Sequence, residues 1–106
     1  MSAVRVGLDV GGTKIDALAF GADDAILART RIPTGWGDEA VIVAGHDAID
    51  ALADTGGFAT AEVVSLGIGI PGLVDAAGGR VLHAVNLGVT DLDLAPAIRR
   101  RLPVPV

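Results

Sequence analysis

An acidic residue followed by two glycines, a hydroxyl and a lysine has the parts of a nucleotide-phosphate site. In this chain they are Asp9, Gly11, Gly12, Thr13 and Lys14, within the run Gly7-Leu8-Asp9-Val10-Gly11-Gly12-Thr13-Lys14. Glycine lets the backbone approach an anion closely and reach positive φ, while backbone N–H groups, the Thr13 hydroxyl and the Lys14 ammonium can donate to phosphate oxygens. Asp9 offers a hard oxygen ligand for magnesium, directly or through water. The run is not a Walker A loop, which needs Gly, four residues and then Gly-Lys-Ser/Thr; here the hydroxyl precedes the lysine. A plain hairpin turn with an incidental Asp and Lys accounts for the same residues, and the chemistry alone leaves both readings open.

A second glycine run, Gly67-Ile68-Gly69-Ile70-Pro71-Gly72, formally matches the dinucleotide fingerprint G-x-G-x-x-G. That fingerprint requires a helix opening over the pyrophosphate, whereas Pro71 and the following Leu73-Val74-Asp75-Ala76-Ala77-Gly78-Gly79 predict turn and loop. Gly67 and Gly69 read instead as positions where a strand packs closely, with Gly72 ending it. His46 falls on the polar side of a predicted helix and His83 in a hairpin, with no third ligand near enough in sequence to argue for a metal. The run Arg99 to Arg101 reads as a solvated helix end.

The elements that must position these residues follow from the apolar pattern. Val4 to Val10 predicts a central strand stopped by Gly11-Gly12, and Lys14 to Phe20 and Ala25 to Ile32 complete an antiparallel meander through two turns. After the Gly35-Trp36-Gly37 loop, Asp38 is placed to cap a helix with Glu39 in its first turn. Val41, Gly45, Ala48 and Leu52 share one face of that helix, Asp47, Asp50 and Asp54 another, and Gly56-Gly57 ends it. Val63 to Ile70 predicts a buried strand running into Pro71-Gly72. The segment from Leu73 to Asn86 reads as a small hairpin or excursion, and Asp93 to Leu102 as a short helix with Asp93 as its N-cap.

Composition narrows the class. The chain has 106 residues and a formal charge of −5, with 51% hydrophobic but only 3% aromatic residues. Its core must come from Val, Ile, Leu and Ala, which favours an α/β or α+β domain. Net acidity argues against a nucleic-acid partner. No apolar run reaches the roughly 20 residues that span a bilayer, so no membrane role and a cytoplasmic location are expected. Zero cysteine excludes thiol catalysis and a cysteine zinc site within these residues.

Three elements in order resemble one family. Asp9-Val-Gly-Gly-Thr-Lys-Ile15, then Gly67-Ile-Gly-Ile-Pro-Gly-Leu-Val-Asp75, then Asn86-Leu87 match the ROK family of repressors, open reading frames and kinases, which includes bacterial glucokinases. The likeness covers essentially the whole chain. It implies an α/β fold of the actin-like ATPase or ribonuclease-H-like kind: a mixed sheet with an initial antiparallel meander and flanking helices. Residues 1–106 would then form a truncated N-terminal lobe, a single incomplete domain of a ROK-type sugar kinase.

The resemblance also assigns roles. Asp9, Gly11, Gly12, Thr13 and Lys14 would face the phosphates of ATP, with magnesium at Asp9, and Gly72 and Asn86 would contact a hexose substrate. A carboxamide such as Asn86 offers donors and an acceptor together, as a sugar hydroxyl requires, although an Asn stabilising its own loop is the plainer alternative. Asp75 would shape the turn after Gly72. Family members commonly carry a Trp shortly after the Asn-Leu pair, where this chain has Gly88-Val89. The general-base Asp, a structural zinc and the second ATP-binding lobe would lie after Val106, so these residues alone are expected to be inactive and to form a homo-oligomer through an open sheet edge. A sugar-responsive ROK transcriptional regulator and a non-catalytic half-domain interaction module are the competing functions. Only eight residues precede Asp9, which is short of the DNA-binding region that a regulator would need there.

Overall fold

Alternation of side chains about a pleated strand separates this chain into two faces at once. In the computed structural model, which describes residues 3–70, 73–75, 80–83, 88–89 and 91–100, strand β1 (Val4–Val10) buries Val4, Val6, Leu8 and Val10 and turns Arg5, Gly7 and Asp9 the other way. Strand β2 (Lys14–Phe20) likewise buries Ile15, Ala17 and Ala19. Strand β3 (Ile26–Pro33) adds Ala28 to the same face. Both β1 and β2 keep the boundaries that the sequence predicts. The third strand starts and ends one residue later than predicted, because Ala25 belongs to the turn: its carbonyl accepts from the Gly21 N–H at 2.9 Å and its own N–H donates to the Asp23 carboxylate at 3.2 Å. Pro33, which has no N–H to give a ladder, is tolerated because β3 lies at the sheet edge.

Helix α1 (Asp38–Gly56) follows, and strand β4 (Val63–Gly69) then pairs parallel to β1, giving a sheet in the order β3-β2-β1-β4. This is a mixed sheet opening with an antiparallel meander, as the residue pattern implies. The helix covers β2 and β3. Its approach is helped by the alanines on both surfaces, Ala17, Ala19 and Ala28 below and Ala44 and Ala48 above, all of them buried. Gly37, at φ 92°, stands at the N-cap in place of Asp38, and no side chain caps the helix. Asp38 and Glu39 occupy the first turn, where their charge still complements the helix dipole. Gly57 closes the other end in the left-handed conformation, its N–H donating to the Ala53 carbonyl at 2.9 Å.

His46 departs from expectation. It is buried, at 7% exposure, rather than on the polar side of α1. The apolar stripe of this helix is wider than one contact face requires, since α1 packs against the sheet and also against a second helix, α2 (Leu94–Arg99). A methyl group on Gly45 would come within 3.1 Å of Ile98 Cδ1, so glycine there sets the distance between the two helices.

The predicted excursion is a second small sheet. Strands β5 (Leu73–Asp75) and β6 (Arg80–His83) form an antiparallel hairpin, and β7 (Leu92–Asp93) adds a third strand in the order β5-β6-β7. Because Asp93 pairs opposite Arg80 in this sheet, its carboxylate accepts from Arg80 Nη1 at 3.0 Å and makes no cap hydrogen bond to α2. Arg80 Nε also donates to Asp91 at 2.5 Å. Arg101 and Leu102, predicted to continue α2, lie outside the described residues. Val81, Val89, Leu92, Leu94 and Ile98 join the core formed beneath α1, so one apolar cluster carries both sheets.

Two measurements test this packing. The Thr30 hydroxyl is buried and, among the described residues, makes no hydrogen bond. Thr30→Val removes that unsatisfied group at nearly constant shape and is expected to raise the unfolding free energy by about 1 kcal/mol in a denaturant titration; a loss of similar size would refute the assignment. At the second sheet, the hydrogen bond from Arg80, reinforced by its charge, holds the Asp91 carboxyl below its ordinary value of 3.8. A depressed folded-state value stabilises the fold above the ordinary carboxylate range, and that contribution is lost as pH falls through the lowered value. The carboxyl resonance of Asp91 should therefore titrate below 3.8 and return towards it in Arg80→Ala.

Candidate functional site

Strand direction gathers the predicted site at one end of the larger sheet. β2 runs antiparallel to β1 and β3, while β4 is parallel to β1, so β1, β3 and β4 all finish at the same end, where β2 begins. The Gly11-Gly12-Thr13 turn, the Thr34–Gly37 loop and the exit of β4 towards Pro71 thus share the carboxyl ends of parallel strands. In sheets flanked by helices, that end is where ligands bind.

The glycine turn is tightly specified. The Gly11 N–H donates to the Lys14 carbonyl at 2.8 Å, and a methyl group on Gly11 would stand 3.0 Å from that same oxygen. Gly11 is therefore needed for the turn itself. Thr34, 1% exposed, ties the turn to the end of β3: its N–H donates to the Thr13 carbonyl at 3.0 Å and its hydroxyl to the Gly11 carbonyl at 2.9 Å. The N–H groups of Gly12 and Thr13 take no part in these bonds, and the side chains of Thr13 and Lys14 are exposed. The turn thus keeps the Gly11 and Thr13 carbonyls occupied while the Gly12 and Thr13 N–H groups stay outside these bonds, as an anion site requires. Sequence reasoning missed Thr34; its only signal was its place between Pro33 and Gly35 at the end of a strand.

Asp9 lies two residues before the turn, on the sheet face away from α1. Its register partners are Asp16 on β2 and Gly69 on β4. Two carboxylates directly opposite across a strand pair repel each other. Arg31 relieves the conflict by pairing its Nε with Asp16 at 2.5 Å, which leaves Asp9 as the one of these two facing carboxylates without an ion pair among the described residues. A methyl group at position 69 would stand 3.8 Å from Asp9 Oδ1, an ordinary van der Waals distance, so Gly69 is the near neighbour of this carboxylate on β4.

No cluster of three or more His, Cys, Asp or Glu side chains suited to a metal occurs among the described residues. Asp9 nevertheless fits magnesium as it is bound beside nucleotides, where one or two carboxylates share the ion with substrate phosphates and water. Gly72 and Asn86, the predicted sugar contacts, lie outside the described residues. Nearby, Trp36 projects from the loop after β3 at 68% exposure, and its indole packs against Gly88.

The ROK family profile matches residues 5–106. The chain belongs to the ROK family. A glucokinase from Streptomyces coelicolor is 34% identical over 103 residues, covering 97% of this chain and 31% of that protein. A glucokinase from Halalkalibacterium halodurans is 29% identical over 95% of this chain and 31% of its own length. The chain thus spans about a third of the length of the ROK relatives it matches. Among solved structures, a ROK glucokinase from Streptomyces griseus in complex with glucose and AMPPNP superposes with a TM-score of 0.83 at 29% identity, covering 97% of this chain and 31% of that one. A ROK transcriptional regulator, a homologue of the E. coli MLC protein, superposes with a TM-score of 0.82 at 23% identity, covering 97% and 26%, and shares the fold. The sheet and its flanking helices are accordingly part of an actin-like ATPase fold.

The tie at Thr34 is open to test. Thr34→Val keeps the shape but leaves the Gly11 carbonyl without its hydroxyl partner, and should lower the unfolding free energy by about 1 kcal/mol. Removing an exposed Thr13 hydroxyl by Thr13→Val should change it by less than about 0.5 kcal/mol, which separates a structural hydroxyl from one facing ligand.

Proposed function

We propose that the protein to which these residues belong transfers the γ-phosphoryl group of ATP to a hexose. In this reading, residues 1–106 are an N-terminal lobe that supplies the phosphate-binding turn and part of the sugar site. The observation that carries the reading is the turn at the strand ends: exposed Thr13 and Lys14 and an unpaired Asp9 beside a glycine, in a chain whose glucokinase relatives match across its full length.

Phosphoryl transfer asks little covalent chemistry of a protein; it depends on placing the groups and neutralising charge on the phosphate oxygens. The N–H groups of Gly12 and Thr13 and the Thr13 hydroxyl orient the phosphates, and Lys14 supplies a mobile cation to them. Gly11 shapes the turn. Asp9 anchors magnesium, which when bound offsets charge between the phosphates. Gly72 and Asn86 hold the sugar hydroxyls, and a residue after Val106 accepts the proton of the attacking hydroxyl. A likeness to a glucokinase bound to glucose and AMPPNP supports both ligands.

The test is ADP release by the full-length protein with glucose, mannose, allose and N-acetylmannosamine in turn. At least one hexose should support turnover, Lys14→Ala and Asp9→Asn should each reduce kcat/KM about a hundredfold, and residues 1–106 alone should show none. Sugar-independent ATP consumption, or no turnover together with sugar-dependent DNA binding, would replace the kinase with a regulator.

A further inference from the structure

Trp36 is the most exposed large apolar side chain described, at 68%, yet the loop that carries it is closely specified. Gly35 and Gly37 on either side both hold positive φ, 81° and 92°. A methyl group on Gly35 would also stand 2.9 Å from Ala40 Cβ, so no larger residue fits without movement. Immediately before them, Thr34 is buried and bonded twice to the phosphate-binding turn. On its far side, the indole rests on Gly88, itself at φ 67°, where a methyl group would collide with Nε1, Cε2 and Cζ2 of the ring. Two glycines and a buried threonine specify the backbone that carries the indole, and the ring rests on Gly88 with most of its surface open at the carboxyl ends of β1 and β3.

A large aromatic ring is normally covered, and one fixed in place while open to water suits the binding of a flat, partly apolar molecule. A pyranose presents such a surface in the axial C–H groups of one face, while its hydroxyls remain in the ring plane for polar partners. The geometry points to Trp36 as an aromatic platform that stacks against the hexose ring and selects sugars whose C–H face is continuous. This deepens the kinase reading and rests on it. The position favours a sugar over the adenine base, because the ring leans on Gly88, in the segment that follows the Asn86-Leu87 pair, while the phosphate turn meets the same loop through Thr34 on the other side.

The experiment compares the full-length protein with Trp36→Ala and Trp36→Phe variants, measuring kcat and KM for the best hexose and for ATP. Trp36→Ala should raise the hexose KM about tenfold, with the ATP KM changed less than about twofold, and Trp36→Phe should recover most of the loss. Tryptophan emission should change on adding hexose to the wild type, and that change should vanish in Trp36→Phe. Melting temperatures within about 4 °C of the wild type show that the variants fold, as an exposed site predicts. An unchanged hexose KM in a folded Trp36→Ala protein overturns the platform and leaves the kinase standing. A rise in the ATP KM alone overturns it in favour of base stacking. A wild type that phosphorylates no hexose removes both.

Discussion

The two hydrogen bonds from Thr34 to the Gly11 and Thr13 carbonyls join the two loops at the carboxyl ends of β1 and β3. Without them, the glycine turn after β1 would be tied only through β2, and the loop entering α1 would be free to set its own course. With them, the turn at Gly12 and Thr13, the start of α1 and the exposed indole of Trp36 become parts of one assembly. The bonds are effective because Thr34 is buried: a hydroxyl lost from water must keep its partner, so moving either loop alone would leave a carbonyl or a hydroxyl unsatisfied.

The sheet beneath that tie separates stability from chemistry by alternation. One face, with Val4, Val6, Leu8, Val10, Ile15, Ala17 and Ala19, is buried beneath α1 together with the α2 and second-sheet residues of the same core. The other carries Arg5, Asp9, Asp16, Arg29 and Arg31 among glycines and larger apolar groups. Charges on this second face are arranged so that Arg31 takes Asp16 and Arg5 pairs with Asp24 at the far end. Of the two facing carboxylates, Asp9 is the one left without an ion pair among the described residues, at the strand end nearest the glycine turn. An exposed pair such as Arg31 with Asp16 contributes little to stability. Its larger effect is to decide which of two facing carboxylates stays available.

Much of the architecture was legible in the sequence because its signals are local. β1 and β2 have the predicted boundaries, since a β-branched run against a glycine turn fixes both register and length. The end of α1 was readable from Gly56-Gly57. Misreadings arose where a residue answers to distant partners. His46 neighbours Asp47 in sequence and was assigned to the polar side, but α1 buries two surfaces because α2 returns to it. Asp93 stands at the predicted cap position, yet the strand pairing with β6 gives its carboxylate to Arg80. The acidic residue, glycines, hydroxyl and lysine of the first turn were readable as a composition, whereas Thr34 acquires its place beside them only when β3 is brought beside β2 in register.

Glycine shows the same limit within one residue type. Gly11 is required because a side chain would crowd the Lys14 carbonyl, Gly35 because of both its positive φ and Ala40, and Gly88 because an indole occupies the place of its side chain. In the sequence these are equivalent letters that read as turns or strand ends. Their different demands come from what is brought against them, and each of those neighbours is supplied by a separate part of the chain. These glycines therefore act less by loosening the backbone than by leaving room for a carbonyl, a neighbouring helix residue and a ring.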